Sequence, residues 1–288
     1  MPLKIRNVTS RNPMTAVKMF LHFGILLLLS PGIFGEVSVS EAVDGDSRII
    51  GGQDASPGMA KYQVSIRVKK RNEDMHNCGG SIINQQYVLT AAHCIVGFRP
   101  EVVSLVVGSH QIKSGGQRYK VKKLVPHEKF SKTTAKNDVG VIEVDGSIQY
   151  NNNVQPIGLV NHQVSVGTQC LLTGWGKINA EKNIFPNNLQ MLYFNTISNN
   201  ECTQRLLRTP SKKFMPIDKG QICAKRPNHK GTCQGDSGGP LVIKEGNNFV
   251  QIGIVSWGIP CGYNYPDVFA SVFGILLDFS SLGLKLKY

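Results

Sequence analysis

An all-β fold follows from three features of this 288-residue sequence. Apolar segments are short and of strand length, turn residues separate them, and helical periods are few. Thirty glycines and fourteen prolines are spread along the chain rather than clustered, and only 18% of residues are charged. That composition fits a turn-rich β protein better than a disordered chain. With 41% hydrophobic residues, the chain can bury the core of one or two domains. No internal repeat or low-complexity tract interrupts it.

The first 48 residues read as processing signals. Lys4, Arg6, Arg11 and Lys18 form a basic start, and an apolar run follows from Phe20 to Phe34, broken by Pro31 and Gly32. About 20 uninterrupted apolar residues are needed to span a bilayer. The run is too short and too interrupted, so it predicts a cleaved signal peptide. Met14 and Met19 are alternative starts. We expect a signal region over residues 1–35, with a second candidate cut after Ser40, then an activation propeptide over 36–48. The expected mature protein is secreted, extracellular and free of the membrane.

Beyond Arg48 the strand candidates come in order: Val64–Val68, Tyr87–Leu89, Leu105–Val107, Val139–Val144, Cys170–Leu172 and Phe249–Val255. Turn clusters such as Asn151-Asn152-Asn153 and Gly246-Asn247-Asn248 separate them. Many short strands of this kind build barrels or sandwiches. Val272–Phe279 could be a short helix, although Gly274 weakens it.

Seven cysteines fall at 78, 94, 170, 202, 223, 233 and 261. In an exported protein disulfides are the default, and an odd number leaves one thiol over. No C-x-x-C pair points to zinc. The net charge is +13, and residues 1–48 carry five basic and four acidic side chains, so nearly all of that charge lies beyond Arg48. Two basic runs stand out, Lys69-Lys70-Arg71 and Lys120 with Lys122 and Lys123. No base-reading motif or aromatic interleaving accompanies them, so they read as solvated loop charges and no nucleic-acid partner is expected.

Three segments carry the chemistry: Leu89-Thr90-Ala91-Ala92-His93-Cys94, Asn137-Asp138-Val139-Gly140, and Cys233-Gln234-Gly235-Asp236-Ser237-Gly238-Gly239-Pro240. Acyl transfer at neutral pH needs a weak nucleophile, a base to activate it, and a carboxylate to orient the base. Glycines around Ser237 free the backbone to turn sharply and to aim N–H groups at a developing oxyanion. Singly, each segment has a plain structural explanation. Together, in the order His, Asp, Ser, they point to a hydrolase.

These motifs resemble the chymotrypsin family of serine proteases. The resemblance runs from Arg48-Ile49-Ile50-Gly51-Gly52 to about Val272, and includes Cys78-Gly79-Gly80-Ser81, Gly174-Trp175-Gly176 and Ser256-Trp257-Gly258. It implies two antiparallel six-stranded β-barrels, over about 49–155 and 156–272 of a protease domain spanning 49–288, with the active site in the cleft between them. His93 and Asp138 would come from the first barrel and Ser237 from the second. Ser237 would attack the scissile carbonyl, His93 would carry the proton, and Asp138 would fix the imidazole. The N–H groups of Gly235 and Ser237 would form the oxyanion hole. Ser256, Trp257 and Gly258 would line the cleft and pair with substrate backbone.

The family pattern further implies activation by a trypsin-like protease between Arg48 and Ile49, after which the Ile49 amine pairs with Asp236. It implies the disulfides Cys78–Cys94, Cys202–Cys223 and Cys233–Cys261. Cys170 is left as a free thiol, because its usual partner position holds Ile243. Protein or peptide substrates and protein inhibitors are the implied partners, and no cofactor is implied. No calcium is expected, since no Asp or Glu occurs between Glu101 and Glu128. The stretch Phe273–Tyr288 departs from the family's terminal helix.

In the specificity pocket the floor position is Gly231, where trypsin-like members carry Asp. Gly258 leaves the entrance open, and Asp267 stands at a wall position that is usually Gly. This Gly-plus-Asp pairing resembles chymotrypsin-like and collagenolytic relatives from arthropods. The expected preference is for Phe, Tyr and Leu, with weaker cleavage after Arg or Lys. Thr232 is a candidate hydrogen-bond donor to Asp267. Two other readings remain: a catalytically silent homologue serving as a binding module, and a basic adhesion protein for acidic surface glycans.

Overall fold

The computed structural model describes residues 52–71, 73–179, 182–209, 216–226, 231–259, 261 and 263–274. The expectations for the signal region, the propeptide, Arg48 and Ile49 lie outside these residues. No described helix is long and apolar enough to cross a membrane.

A first barrel closes in the order β2-β3-β4-β7-β6-β5. Its strands are β2 (Gln63–Lys70), β3 (Glu73–Ile82), β4 (Tyr87–Thr90), β5 (Val103–Val107), β6 (Gln117–Pro126) and β7 (Gly140–Val144). All its pairings are antiparallel. Alternate side chains point inward, as the period of a strand requires. Thus Val64, Ile66 and Val68 of β2 meet Val103, Leu105 and Val107 of β5 in one core.

A second ring runs β9-β10-β11-β14-β13-β12 and closes through the β9–β10 pairing. It comprises β9 (Gln169–Gly174), β10 (Gln190–Ile197), β11 (Gln221–Lys225), β12 (Pro240–Glu245), β13 (Asn248–Trp257) and β14 (Asp267–Ser271). Two short strands flank it: β1 (Gln53–Asp54) pairs with β10, and β8 (Gly158–Leu159) runs parallel to β13. The fold is therefore two six-stranded antiparallel barrels. Phe194 and Phe269 meet edge-to-face inside the second, with centroids 6.2 Å apart. Between β12 and β13, Gly246 at φ 58° takes the left-handed position that a tight hairpin loop requires.

An α-helix, α1 (Asn199–Leu207), precedes β11. Ser198 caps it, accepting from Glu201 N at 3.0 Å. Disulfides join Cys78 to Cys94, Cys202 to Cys223 and Cys233 to Cys261. Cys170 is free and buried, and its thiol pKa is pushed up to about 12 by desolvation. The segment Val272–Phe279 is described only as far as Gly274, and Val272–Gly274 are helical.

One expectation is corrected. Lys69, Lys70, Lys120, Lys122 and Lys123 are strand residues of β2 and β6, not loop residues. Arg71 alone of the two runs sits in a turn. Charge hid β6, whose polar positions outnumber its apolar inward ones, and in β2 it hid only the end beyond Val68.

Candidate active site

Strands β4 and β7 pair so that Thr90 lies opposite Gly140. They therefore end side by side. The chain leaving β4 turns at once into a short 3-10 helix, Ala92–Cys94, which presents His93. The chain entering β7 presents Asp138. The approach is close: a Cβ on Gly140 would come within 2.6 Å of Ile95 Cδ1.

Asp138 is buried, 1% exposed, and accepts three hydrogen bonds. His93 Nδ1 donates to Oδ2 at 2.7 Å, His93 N to Oδ1 at 2.9 Å, and Ser256 Oγ to Oδ2 at 2.6 Å. An ionised carboxylate only accepts, so Nδ1 carries the ring proton and the neutral imidazole leaves Nε2 with a lone pair. Ser256 belongs to β13, so this bond ties the second barrel to the carboxylate of the first.

Ser237 lies on the loop that enters β12. Its carbonyl accepts from Gly79 N at 2.8 Å. Gly238, at φ 76°, is pressed against the β4 segment: a Cβ there would overlap Thr90 Oγ1 and lie 3.1 Å from Ala91 N. The loop is thus held against the two residues that lead to His93. Ser237 Oγ makes no hydrogen bond to another described residue.

The backbone before Ser237 has a defined polarity. Gln234 O accepts from Lys177 N at 2.9 Å, and Asp236 O accepts from Gly239 N at 2.9 Å. In a trans peptide the following N–H points the opposite way. The N–H groups of Gly235 and Ser237 are therefore turned away from these acceptors, and among the described residues neither has a partner. Gly235 sits at φ 100°, and a Cβ would come within 3.0 Å of Phe185 Cε1. Its carbonyl faces His76 Nε2 at 2.9 Å, while Ser65 Oγ faces His76 Nδ1 at 2.8 Å. A carbonyl only accepts, so Nε2 carries the proton and Ser65 donates to Nδ1. The His76 ring stands edge-on to Trp175, and burial lowers its pKa to about 4, keeping it neutral. Nothing in the sequence singled out His76 or Ser65. A lone His on a strand carries no signal until Gly235 is seen against it.

Asp236 is 1% exposed and accepts from Gly176 N at 2.8 Å and Cys233 N at 3.0 Å. Its carboxylate fills the space that a Cβ on Gly174 or Gly176 would need. Burial raises its pKa to about 6, against the lowering effect of those two donors.

Beside Ser237 opens a cavity of about 150 Å³, lined by Thr232, Ser256, Trp257 and Gly258 and framed by the Cys233–Cys261 disulfide. Asp267 lies behind its wall. Thr232 Oγ1 donates to Oδ1 at 2.7 Å and Thr232 N to Oδ2 at 3.2 Å. A Cβ on Gly231 would come within 3.0 Å of Oδ2, and one on Gly258 within 2.6 Å of Oδ1. The two glycines thus make room for the carboxylate between them. Burial raises the Asp267 pKa to about 7, outweighing the Thr232 bonds, and nearby Asp236 raises it further. A larger hollow of about 560 Å³ lies elsewhere, around Val160, Thr196, Lys219 and Phe273, and holds none of the candidate residues.

The one grouping of metal-type ligand atoms among the described residues is Cys78, His93 and Cys94. Its two sulfurs are joined in a disulfide and His93 Nδ1 serves Asp138, which leaves no ligand set.

The trypsin family model matches residues 49–278. Chymotrypsin-2 of Vespa crabro is 39% identical over 229 residues, covering 79% of this chain and 96% of the relative. Trypsin theta of Drosophila melanogaster is 34% identical over 252 residues, 86% of this chain and 92% of the relative. Trypsin delta of the same fly is 33% identical over 228 residues, 79% and 85%. The chain belongs to the trypsin family of serine endopeptidases.

Proposed function

We propose that this chain is a secreted endopeptidase made as a zymogen, cut after Arg48, in which Ser237 is the nucleophile, His93 the base and Asp138 its orienting carboxylate. The observation that carries the reading is the Nδ1–Oδ2 bond of 2.7 Å between His93 and Asp138, beside a Ser237 loop pressed onto Thr90 and Ala91. Nε2 accepts the Ser237 proton as Oγ adds to the substrate carbonyl. The tetrahedral oxyanion is met by the N–H groups of Gly235 and Ser237. Nε2 then protonates the leaving amine, and water repeats the sequence on the acyl-enzyme. Losing one oxyanion donor costs about 2.7–4 kcal/mol of barrier. Asp236, buried with two backbone donors and no cation among the described residues, is the partner for the Ile49 amine that cleavage frees. The family match begins at Ile49, next to that cut.

Primary specificity in this reading is mixed, with Phe, Tyr and Leu preferred and Arg or Lys secondary. The pocket has no carboxylate at Gly231, and burying a large apolar side chain gains about 25 cal/mol per Å². Asp267 keeps free lone pairs beyond its two Thr232 bonds and can meet a cation when ionised. Trypsin treatment, amino-terminal sequencing and peptide-library profiling test the proposal together. The expected result is an Ile49 amino terminus with cleavage after aromatic residues and Leu above Arg and Lys. Cleavage after Arg and Lys only would overturn the specificity, and full activity with Ile49 still internal would overturn the activation step.

A further inference from the structure

The two basic runs of the sequence meet on one sheet. β5 lies between β2 and β6, and the register sets Arg67 opposite Ser104 and Ser104 opposite Lys120. Paired residues of antiparallel strands share a face. Val68, Leu105 and Val121 point into the core, so the row Arg67–Ser104–Lys120 points out. Lys69 adds to this face from β2, and Arg118 and Lys122 from β6. Strands lie about 4.8 Å apart and same-face residues about 7 Å apart along a strand, so cations stand roughly 7 Å apart along β2 and β6 and roughly 10 Å apart across β5, which carries none.

The acidic side chains on this face do not neutralise it. Asp74 is held by Arg67 Nε at 2.8 Å and Arg118 Nη1 at 2.6 Å, and Glu143 by Lys122 Nζ at 2.6 Å. Arg118 and Lys122 still expose 51% and 63% of their side chains. Lys69 and Lys120 are exposed and form no ion pair with a described residue, although Lys69 lies opposite Asp74 in the β2–β3 register. No large hydrophobic residue is exposed on β2, β5 or β6, and Met75 on β3 is the nearest in sequence. Protein partners anchor on buried aromatic or apolar hot spots, and single-stranded nucleic acids on aromatic platforms. This face offers neither. It offers two rows of cations, on β2 and β6, to a linear polymer with repeating anionic groups.

We propose that the outward face of β2, β5 and β6 binds a sulfated polysaccharide, with Lys69 and Lys120 meeting successive sulfates. β5, at the middle of this face, lies across the barrel ring from β4, which leads to His93. A bound chain therefore leaves the cleft open and holds the protease on a glycan-rich surface while it works.

The test uses the full chain and a size-defined, fully sulfated heparin oligosaccharide, titrated at several salt concentrations. Lys69→Gln with Lys120→Gln is expected to weaken binding at least ten-fold near about 0.1 M salt, and to make the salt dependence shallower by about one unit per lost contact. Lys219→Gln with Lys244→Gln removes the same charge from the second barrel and is expected to change affinity less than about two-fold. Lys69→Arg with Lys120→Arg should keep binding, and the desulfated oligosaccharide should not bind. Equal weakening by both glutamine pairs would show a net-charge effect and overturn the site. So would loss of binding in the arginine pair. Binding of a 20-base-pair DNA duplex as tight as that of the oligosaccharide would overturn the assignment to sulfated glycan. An unchanged melting temperature and unchanged hydrolysis of a small peptide by the processed enzyme separate this result from failure of the protease reading.

Discussion

At the scale of single residues, the site is governed by carboxylates that differ in what surrounds them. Asp138 accepts three donors, two of them from His93, and so fixes that ring. Asp138→Asn would present an amide N–H to Nδ1 and favour the wrong tautomer, and kcat should fall about 10⁴-fold with the fold intact. Asp267 has only Thr232, and burial holds its pKa near 7. It is therefore largely neutral at pH 5 and ionised at pH 9. The ratio of Arg to Phe cleavage should rise as pH passes through about 7, and Asp267→Gly should remove that rise while sparing Phe cleavage. Steady-state kinetics on matched peptides read both effects. A flat ratio in the unaltered enzyme would refute the role given to Asp267.

At the scale of elements, the β4–β7 pairing explains why His93 and Asp138 meet although 45 residues separate them. The alternating apolar strands β2 and β5 were legible in the sequence, and so was the His, Asp, Ser order. β3 was not, because Gly79 and Gly80 replace the side chains that signal a strand. Their space is taken by Gly239 Cα, 2.8 Å from a Cβ on Gly79, and by Val88 Cγ1, 3.0 Å from one on Gly80. β6 was hidden by its charge and by the register shift between Val121 and Lys123. α1 offers a single apolar turn, Cys202 and Leu206, yet Ser198 and Glu201 carry the start signal for a helix. Ser198→Ala should cost about 1 kcal/mol of stability and leave kcat unchanged, measurable by urea unfolding and peptide hydrolysis. The pocket allows a second test at this scale. Gly231→Asp alone would set a second carboxylate against Asp267, whose Oδ2 is 3.0 Å from the new Cβ. Like charges in one site suppress ionisation. Gly231→Asp with Asp267→Gly should therefore cleave after Arg and Lys far better than Gly231→Asp alone.

At the scale of the whole molecule, buried ionisable groups give stability a definite pH dependence. The folded pKa of Asp267 is raised from 3.8 to about 7, so its folded form binds more protons between those values and stability falls as pH rises through them. His76 acts in the opposite sense. Its pKa is lowered from 6.5 to about 4, and its contribution is lost as pH falls through that window. Asp267→Asn should therefore gain stability relative to the unaltered protein between pH 4 and pH 8, as melting temperatures would show. Asp236 follows the sign of Asp267 until an amine reaches it, so activation should raise stability at neutral pH.

The central claim is that Ser237 is a nucleophile activated by His93. Its most direct measurement is fluorophosphonate labelling of the trypsin-treated protein, followed by peptide mapping. The account predicts one label, on Ser237, that depends on prior cleavage after Arg48 and is lost in His93→Ala. A processed protein that takes no label, or that hydrolyses peptides with the label on another residue, would contradict it.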